Sequence, residues 1–275
     1  MDYKDIKVGI LRIEGTNCEM ETYLAFERLG AYPELVHLNQ LIGEVKDAER
    51  RCVFDYQCLI IPGGFSSGDY IRAGAIFAAR MKSMLRDELI EFVKEGRPVG
   101  GICNGFQVLV ELGLLPAFDE MMSRYPQATL AVNDSARFEC RPTLLKHENN
   151  CAFTGKIQKG KIVRMPCAHA EGKFIFSSEN KEDYLKRLIE NDQIVFRYVD
   201  PDGEYAGYPW NPNGSLLNIA GICNADRNVF GMMPHPERAF HPYTSPDWTR
   251  SYSFKGDGRA IFESVLEYIK NHKFK

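Results

Sequence analysis

The run Pro98-Val99-Gly100-Gly101-Ile102-Cys103-Asn104-Gly105 predicts a short buried strand that turns abruptly into a helix. Residues 101–105 match G-x-C-x-G, the cysteine version of the nucleophile elbow. The turn forces Cys103 into a strained conformation, and the flanking glycines let neighbouring chain come close. The helix that follows directs its positive end at the thiol, which favours the thiolate nucleophile. The alternative is a plain strand–turn–helix connection with a buried cysteine.

Strands and helices alternate on both sides of this run, which predicts a parallel sheet. The other strands are predicted at 7–13, 32–38, 58–61, 193–199, 215–223 and 228–233. The helices are predicted at 18–29 with Asn17 as N-cap, 70–95, 104–112 and 259–271. Short alternating runs in 128–180 predict antiparallel strands added to the sheet edge, and 240–258 is predicted to be a loop. The fold class is therefore α/β, in one domain over residues 1–275.

Composition excludes several classes of protein. The chain has 275 residues, 44% of them hydrophobic, and a formal net charge of −3, so neither disorder nor bulk nucleic-acid binding is supported. Since no apolar run approaches the roughly 20 residues that span a bilayer, we expect no membrane partner. Residues 1–5 are polar and resemble part of an epitope tag, and they do not begin a signal peptide. We therefore expect a cytoplasmic protein.

The eight cysteines are expected to be reduced thiols, because the cytosol keeps thiols reduced. They include no C-x-x-C pair, so the sequence predicts no metal site and no local redox motif. The chain also lacks the G-x-x-x-x-G-K-[ST] and G-x-G-x-x-G patterns that bind nucleotide phosphates. The sequence therefore gives little support for a site that binds nucleotide phosphates.

A second segment supplies a base for the cysteine. His235 and Glu237 follow the strand predicted at 228–233, and residues i and i+2 of an extended stretch face the same side. His235 would take the thiol proton of Cys103, and Glu237 would orient the imidazole. Each of these residues alone is more often a loop histidine or a solvated carboxylate. Their combination with the G-x-C-x-G motif reverses that preference.

A third segment, PGGFSSGDYIRAG at residues 62–74, follows the strand at 58–61 and so lies at the same sheet edge. Its adjacent glycines allow backbone N–H groups to face a bound group. We expect an oxyanion hole formed by the N–H of Asn104 and a second N–H from Gly64 or Phe65. A plain glycine-rich turn is the alternative for this segment by itself.

Taken together, these three segments resemble those of a known family. GICNGFQ at 101–107 with MPHPER at 233–238 resembles the class I, triad-type glutamine amidotransferases, which have a flavodoxin-like α/β fold. The segment at 62–74, NDSARF at 133–138 and AHAEG at 168–172 are similar to the glutaminase subunits of phosphoribosylformylglycinamidine synthase. The resemblance runs in order from about residue 8 to residue 238, which is most of the chain.

The resemblance implies roles and partners. Cys103 would attack the side-chain amide of glutamine and form a glutamyl thioester. Gln107 would hold the substrate, and Asn133 and Arg137 would contact its charged ends. The ammonia would pass to a large synthetase subunit that uses ATP and magnesium to convert formylglycinamide ribonucleotide to the amidine. A small adapter subunit would complete the complex, and this chain would need no cofactor.

Some points depart from the family or stay open. Ala170 stands where members commonly carry glycine, and 116–131 and 240–257 look longer than in compact members, which leaves the partner surface open. His169 and Glu171 could serve an interface or gate ammonia, although a simple turn is favoured for Glu171. Alternatives to the purine function are a glutaminase for a different synthetase, a non-catalytic regulatory member of the fold, and a cysteine peptidase.

Overall fold

The computed structural model describes residues 2–250, 254–272 and 274. Eleven strands and six helices lie within them, together with several short 3-10 turns. The strands are β1 Lys7–Arg12, β2 Tyr32–His37, β3 Cys58–Ile61, β4 Val99–Ile102, β5 Thr129–Val132, β6 Glu139–His147, β7 Ile162–His169, β8 Glu171–Ile175, β9 Ile194–Val199, β10 Ile219–Cys223 and β11 Val229–Met232. The helices are α1 Glu19–Arg28, α2 Leu38–Leu41, α3 Ala75–Lys94, α4 Asn104–Leu112, α5 Lys181–Glu190 and α6 Arg259–Asn271.

Nine of these strands form one mixed sheet in the order β2-β1-β3-β4-β11-β10-β9-β6-β7. The first five are mutually parallel, and β11 takes the place of the fifth strand in the flavodoxin-like order 2-1-3-4-5. From β11 onward each pairing is antiparallel. The predicted α/β fold, with a mostly parallel centre, flanking helices and added antiparallel strands, is confirmed.

The central strands are short apolar runs because helices cover both faces of the sheet. Every residue of β3, β4 and β11 is buried. Helix α3 buries a stripe at three- and four-residue spacing, including Phe77, Met81, Leu85 and Leu89, and it packs against α4. Helix α1 packs against α6, where the rings of Phe26 and Phe262 meet edge to face with centroids 5.1 Å apart.

Several local predictions are corrected. Asn17 is not the N-cap of α1; that position is Cys18, which makes no capping hydrogen bond through its side chain. The strand predicted from 215 begins only at Ile219, because Leu216–Asn218 is a 3-10 turn. Within 128–180, only β6 and β7 extend the main sheet, while β5 and β8 form a separate antiparallel pair. Helix α5 was not predicted, since its mean hydropathy is low and only Leu188 is buried.

The described part of the 240–258 loop contains the 3-10 turn Pro242–Thr244 and no strand, as predicted; residues 251–253 of that prediction lie outside the described residues. Among the described residues, no helix is both long and apolar enough to cross a membrane.

The packing of α4 on β3 predicts the effect of adding one methyl group. A Cβ at Gly105 would lie 1.8 Å from the carbonyl oxygen of Ile61, a backbone atom that has no room to move. We expect Gly105→Ala to lower the free energy of unfolding by at least about 3 kcal/mol, measured by urea titration.

Gly155→Ala is the matched control, because Gly155 is exposed and a Cβ there would meet no atom within 4 Å. We expect its unfolding free energy to change by less than about 0.5 kcal/mol. Equal stability of the two variants would contradict the assigned contact between α4 and β3.

Candidate active site

Cys103 lies on a strained turn between β4 and α4. Its φ is 51°, outside the usual range for a residue other than glycine, and its backbone N–H donates to the Met232 carbonyl over 2.8 Å. A Cβ at Gly101 would lie 2.5 Å from the Gly105 carbonyl oxygen, so the turn needs glycine there. The structure thus has the predicted elbow, with the cysteine at the N-terminus of α4.

His235 and Glu237 follow β11, the strand next to β4, and both side chains are buried. His235 Nδ1 lies 2.5 Å from Glu237 Oε1, so Nδ1–H donates to the carboxylate. Burial by itself would lower the pKa of His235, but the Glu237 carboxylate and the Cys103 sulfur raise this pKa well above its usual value. His235 therefore holds a proton next to the sulfur, where it can protonate a leaving group.

A second cysteine, Cys18, lies beside this histidine. The backbone of Gly63 touches both: a Cβ on Gly63 would lie 2.8 Å from His235 Cε1 and 3.3 Å from the Cys18 sulfur. Arg238 donates from Nη2 to the same sulfur over 3.1 Å. Sequence reasoning missed Cys18 and Arg238. The signal was that the loop after β1 must meet the loops after β3 and β4 at one sheet edge.

Cys18, His235 and Glu237 are also the group that most resembles a metal site among the described residues. One ligand-type atom from each lies within 4.8 Å of the others, and all three are zinc-binding types. However, the Cys18 sulfur already accepts from Arg238, and Glu237 already accepts from His235. The arrangement fits proton transfer better than metal binding.

Two backbone N–H groups are available for an oxyanion. Asn104 begins α4, where the first N–H groups have no partner within the helix. Between the two alternatives for the second donor, the structure favours Gly64. The N–H of Phe65 donates to the Gly15 carbonyl over 3.0 Å, while that of Gly64 has no partner among the described residues. Gly64 and Cys103 line the same cavity.

That cavity has a volume of about 320 Å³, and Gln107 is part of its wall. The Gln107 amide is held on both sides: it accepts from Asn104 Nδ2 over 3.0 Å and donates to the Glu171 carbonyl over 2.5 Å. Gln107 therefore presents a fixed surface to the cavity rather than a mobile side chain.

The two other predicted substrate contacts lie away from the cavity. Asn133 is buried, and its amide is fully used: Nδ2 donates to the carbonyls of Arg137 and His169, each over 2.9 Å, and Oδ1 accepts from Gly172 N and His169 Nδ1. Arg137 is exposed and does not line the cavity. The sequence shows the neighbourhood of both residues but not the direction of their side chains, and their contact with the substrate stays a prediction. Asn133 instead holds the segment 169–172 in place.

Comparison with known proteins identifies the family of the chain. Residues 5–269 match the family model of the CobB/CobQ-like glutamine amidotransferase domain. A phosphoribosylformylglycinamidine synthase subunit PurQ from Archaeoglobus fulgidus is 59% identical over 98% of this chain and 99% of its own. The PurQ subunit from Picrophilus torridus is 49% identical over 95% of this chain and 97% of its own.

Among solved structures, a chain in the structure of PurLQS from Thermotoga maritima superposes with a TM-score of 0.71. It is 31% identical, and the match covers 96% of this chain and 99% of that one. Both the sequence and the fold therefore match along almost the whole length. The chain belongs to the CobB/CobQ-like glutamine amidotransferase family and, within it, to the phosphoribosylformylglycinamidine synthase subunits PurQ.

Proposed function

We propose that this chain hydrolyses the side-chain amide of glutamine and delivers the ammonia to a synthetase subunit in purine biosynthesis. The observation that carries the proposal is the 2.5 Å hydrogen bond from His235 to Glu237 beside a cysteine on a strained elbow. Family membership supports glutamine as the substrate, since the matching family model is a glutamine amidotransferase domain.

The proposed reaction begins when the Cys103 sulfur attacks the amide carbon of glutamine. The N–H groups of Gly64 and Asn104 hold the oxygen as it becomes negative. His235 gives its proton to the amide nitrogen, the C–N bond breaks, and ammonia leaves a glutamyl thioester on Cys103. His235 then takes a proton from water, the hydroxide displaces the sulfur, and glutamate is released. Glu237 holds the imidazole in one tautomer throughout.

For partners, we propose a large synthetase subunit that converts formylglycinamide ribonucleotide to the amidine, and a small adapter subunit. ATP and magnesium would bind to the synthetase, and this chain would need no cofactor. The names of the relatives and the PurLQS structure support this assignment. We propose that the complex works in the cytoplasm and binds no nucleic acid, in line with the net charge of −3.

We place the synthetase over the mouth of the cavity. Four large apolar side chains are exposed there: Phe65 by 54%, Tyr70 by 75%, Ile71 by 84% and Phe138 by 64%. Phe65 and Phe138 also line the cavity itself. Ile71 has a φ of 74°, which is costly for a β-branched residue, so this exposed conformation is held against local strain. An apolar patch around a site that must release ammonia without loss fits a docking surface.

The role of Cys103 predicts a separation of two activities in the complex with the synthetase. We expect Cys103→Ala to abolish glutamine-dependent synthesis, since no thioester can form, and to leave ammonia-dependent synthesis unchanged. Both rates are measured as amidine formation with glutamine or ammonium chloride as the nitrogen source.

The control is Cys140→Ala, which removes an exposed cysteine outside the cavity and should affect neither rate. Intact mass after treatment with a glutamine-like diazoketone should show one adduct on wild type, mapped to Cys103 and prevented by excess glutamine. Loss of both activities in a well-folded Cys103→Ala complex would overturn the proposed role.

The proposed docking surface consists of Phe65, Tyr70, Ile71 and Phe138. A substitution at Ile71 is predicted to affect stability and assembly in opposite directions. Ile71→Gly relieves the positive φ and removes the apolar side chain, so we expect a Tm no lower than that of wild type and affinity for the synthetase about 10-fold weaker. Calorimetry gives the Tm and titration with the synthetase gives the Kd.

Met84→Gly is a control for loss of an exposed apolar side chain elsewhere, since Met84 lies on α3 and outside the cavity wall. It should lower the Tm, because glycine weakens a helix by about 1 kcal/mol, and leave the Kd unchanged. Unchanged affinity in Ile71→Gly would move the docking surface elsewhere.

A further inference from the structure

Arg238 is a charged residue of the active site that the proposed reaction does not use. It comes directly after Glu237 and lies on the wall of the cavity that contains Cys103. Its Nε lies 3.9 Å from Glu237 Oε1, and its Nη2 donates to the Cys18 sulfur over 3.1 Å. The guanidinium therefore bridges the carboxylate that orients His235 and the N-cap residue of helix α1.

Cys18 gives this guanidinium a fixed point of attachment. The residue is buried, its N–H donates to the Gly63 carbonyl over 3.1 Å, and its carbonyl accepts from the Thr22 hydroxyl over 2.8 Å. Because hydrogen bonds hold the backbone of Cys18 on both sides, its sulfur has little freedom to move away from Arg238. The place of the guanidinium beside Glu237 is thus set by a contact with a distant part of the chain.

Most other charged groups near Arg238 have partners of their own. Arg238 also lines a neighbouring groove that contains Asp247 and Asp257, and Arg164 binds both of them, through Nη1 over 2.5 Å and its backbone N–H over 2.7 Å. The rest of the charged groove wall is Arg141, Lys255 and His241, which contact Glu139, Glu263 and Arg28. On α1, Glu21 adds negative charge near Arg238. Among the described residues, the carboxylate within ion-pair distance of Arg238 is that of Glu237.

The Glu237 carboxylate needs a positive charge beside it, because its side chain is completely buried. While His235 is protonated, the imidazolium supplies that charge through the hydrogen bond from Nδ1. Once His235 has given its proton away, Arg238 is the positive charge that remains within ion-pair distance among the described residues. Glu237 Oε2 has no hydrogen-bond partner among them either, so no other donor compensates this carboxylate.

We propose that Arg238, anchored on Cys18, is a positioning residue that compensates the Glu237 carboxylate while His235 is neutral. The neutral form of His235 is the one that takes a proton from water and so releases glutamate from the thioester. Without Arg238, the buried carboxylate would retain the imidazolium as its counter-ion, and His235 would stay protonated to higher pH. This inference rests on the proposed glutaminase function and adds a residue to the second step of the reaction.

The groups that surround His235 mostly favour its protonated form. Burial by itself lowers the pKa of His235, but the Glu237 carboxylate and the Cys103 sulfur raise this pKa well above its usual value, and the Cys18 sulfur adds to the rise. A nearby positive charge acts in the opposite direction, because it makes the imidazolium less favourable. Arg238 is therefore expected to lower the pH at which His235 becomes a base.

The titratable groups of β7 that face His235 are uncharged near neutral pH. Burial raises the pKa of Cys167 to about 11, and burial lowers the pKa of His169 to about 4. Neither group supplies a charge that could replace the guanidinium of Arg238. A change at position 238 should thus be visible in the titration of His235.

The test follows the glutamyl thioester on Cys103 through one turnover of the assembled complex. Samples are quenched in acid over a series of pH values, and intact mass gives the rates at which the thioester forms and disappears. In wild type, its disappearance should become faster with pH as His235 loses its proton. In Arg238→Gln and Arg238→Met, the midpoint of this rise should lie about 0.5–1 pH unit higher, because a partly screened positive charge has been removed.

Arg238→Lys keeps the positive charge, so its midpoint should stay within about 0.2 pH unit of wild type. Arg51→Gln is the matched control, because the Arg51 side chain is exposed by 33%, against 38% for Arg238, and it pairs with Glu34 outside the cavity wall. It should leave the midpoint unchanged. Arg238→Met keeps an aliphatic stem next to Cys18, so one neutral variant remains if Arg238→Gln does not assemble.

A slower disappearance of the thioester at every pH, with the midpoint unchanged in the neutral variants, would assign Arg238 a structural role and overturn the inference. An equal shift in Arg238→Lys and Arg238→Gln would also overturn it, because the charge would then not be responsible. Either result would leave the glutaminase function in place. A wild-type complex that forms no thioester from glutamine and takes no diazoketone adduct would instead contradict the proposed function itself.

Discussion

The close approach of α4 to the end of β3 is the constraint on which the active site depends. Only a residue without a side chain fits at position 105 against the Ile61 carbonyl, and only glycine fits at position 101 against the turn itself. Because α4 lies so close to the end of β3, the chain must turn within one residue. Cys103 therefore takes a positive φ at the N-terminus of α4. The strain is local, and the buried strands on either side hold it in place.

The order of the parallel strands then determines which loops meet above the cysteine. Strands β1, β3, β4 and β11 are neighbours, and their carboxyl ends lie along one edge of the sheet. Each of the loops that follow contributes one element of the site: Cys18, Gly64, Cys103 and His235. The antiparallel β7 closes the cavity, since its Pro166 carbonyl binds the His235 N–H over 2.8 Å and its end carries His169.

Several groups around the cavity are held in states that cost stability in the isolated chain. Burial and the nearby charge of Glu171 raise the pKa of Asp69 to about 6. His169 Nε2 is buried without a hydrogen-bond partner among the described residues, and Ile71 holds an exposed, strained conformation. A cost of this kind is common where a ligand or a partner completes the structure. Asp69 lines the cavity, whereas Ile71 lies outside its wall, so a ligand and the synthetase would relieve different costs.

The sheet, the elbow and the Cys103–His235–Glu237 set could all be predicted from the sequence, because each rests on a local pattern: short apolar runs, a G-x-C-x-G turn, and i, i+2 spacing after a strand. Which of Gly64 and Phe65 keeps an N–H without a partner among the described residues depends on the hydrogen bond from Phe65 to the Gly15 carbonyl, a contact between distant loops that local patterns do not show. The tertiary structure also decided that Asn133 supports the site while Glu171 lines it. Side-chain direction in the added strands depends on how distant strands pair, and a local sequence pattern does not specify that pairing.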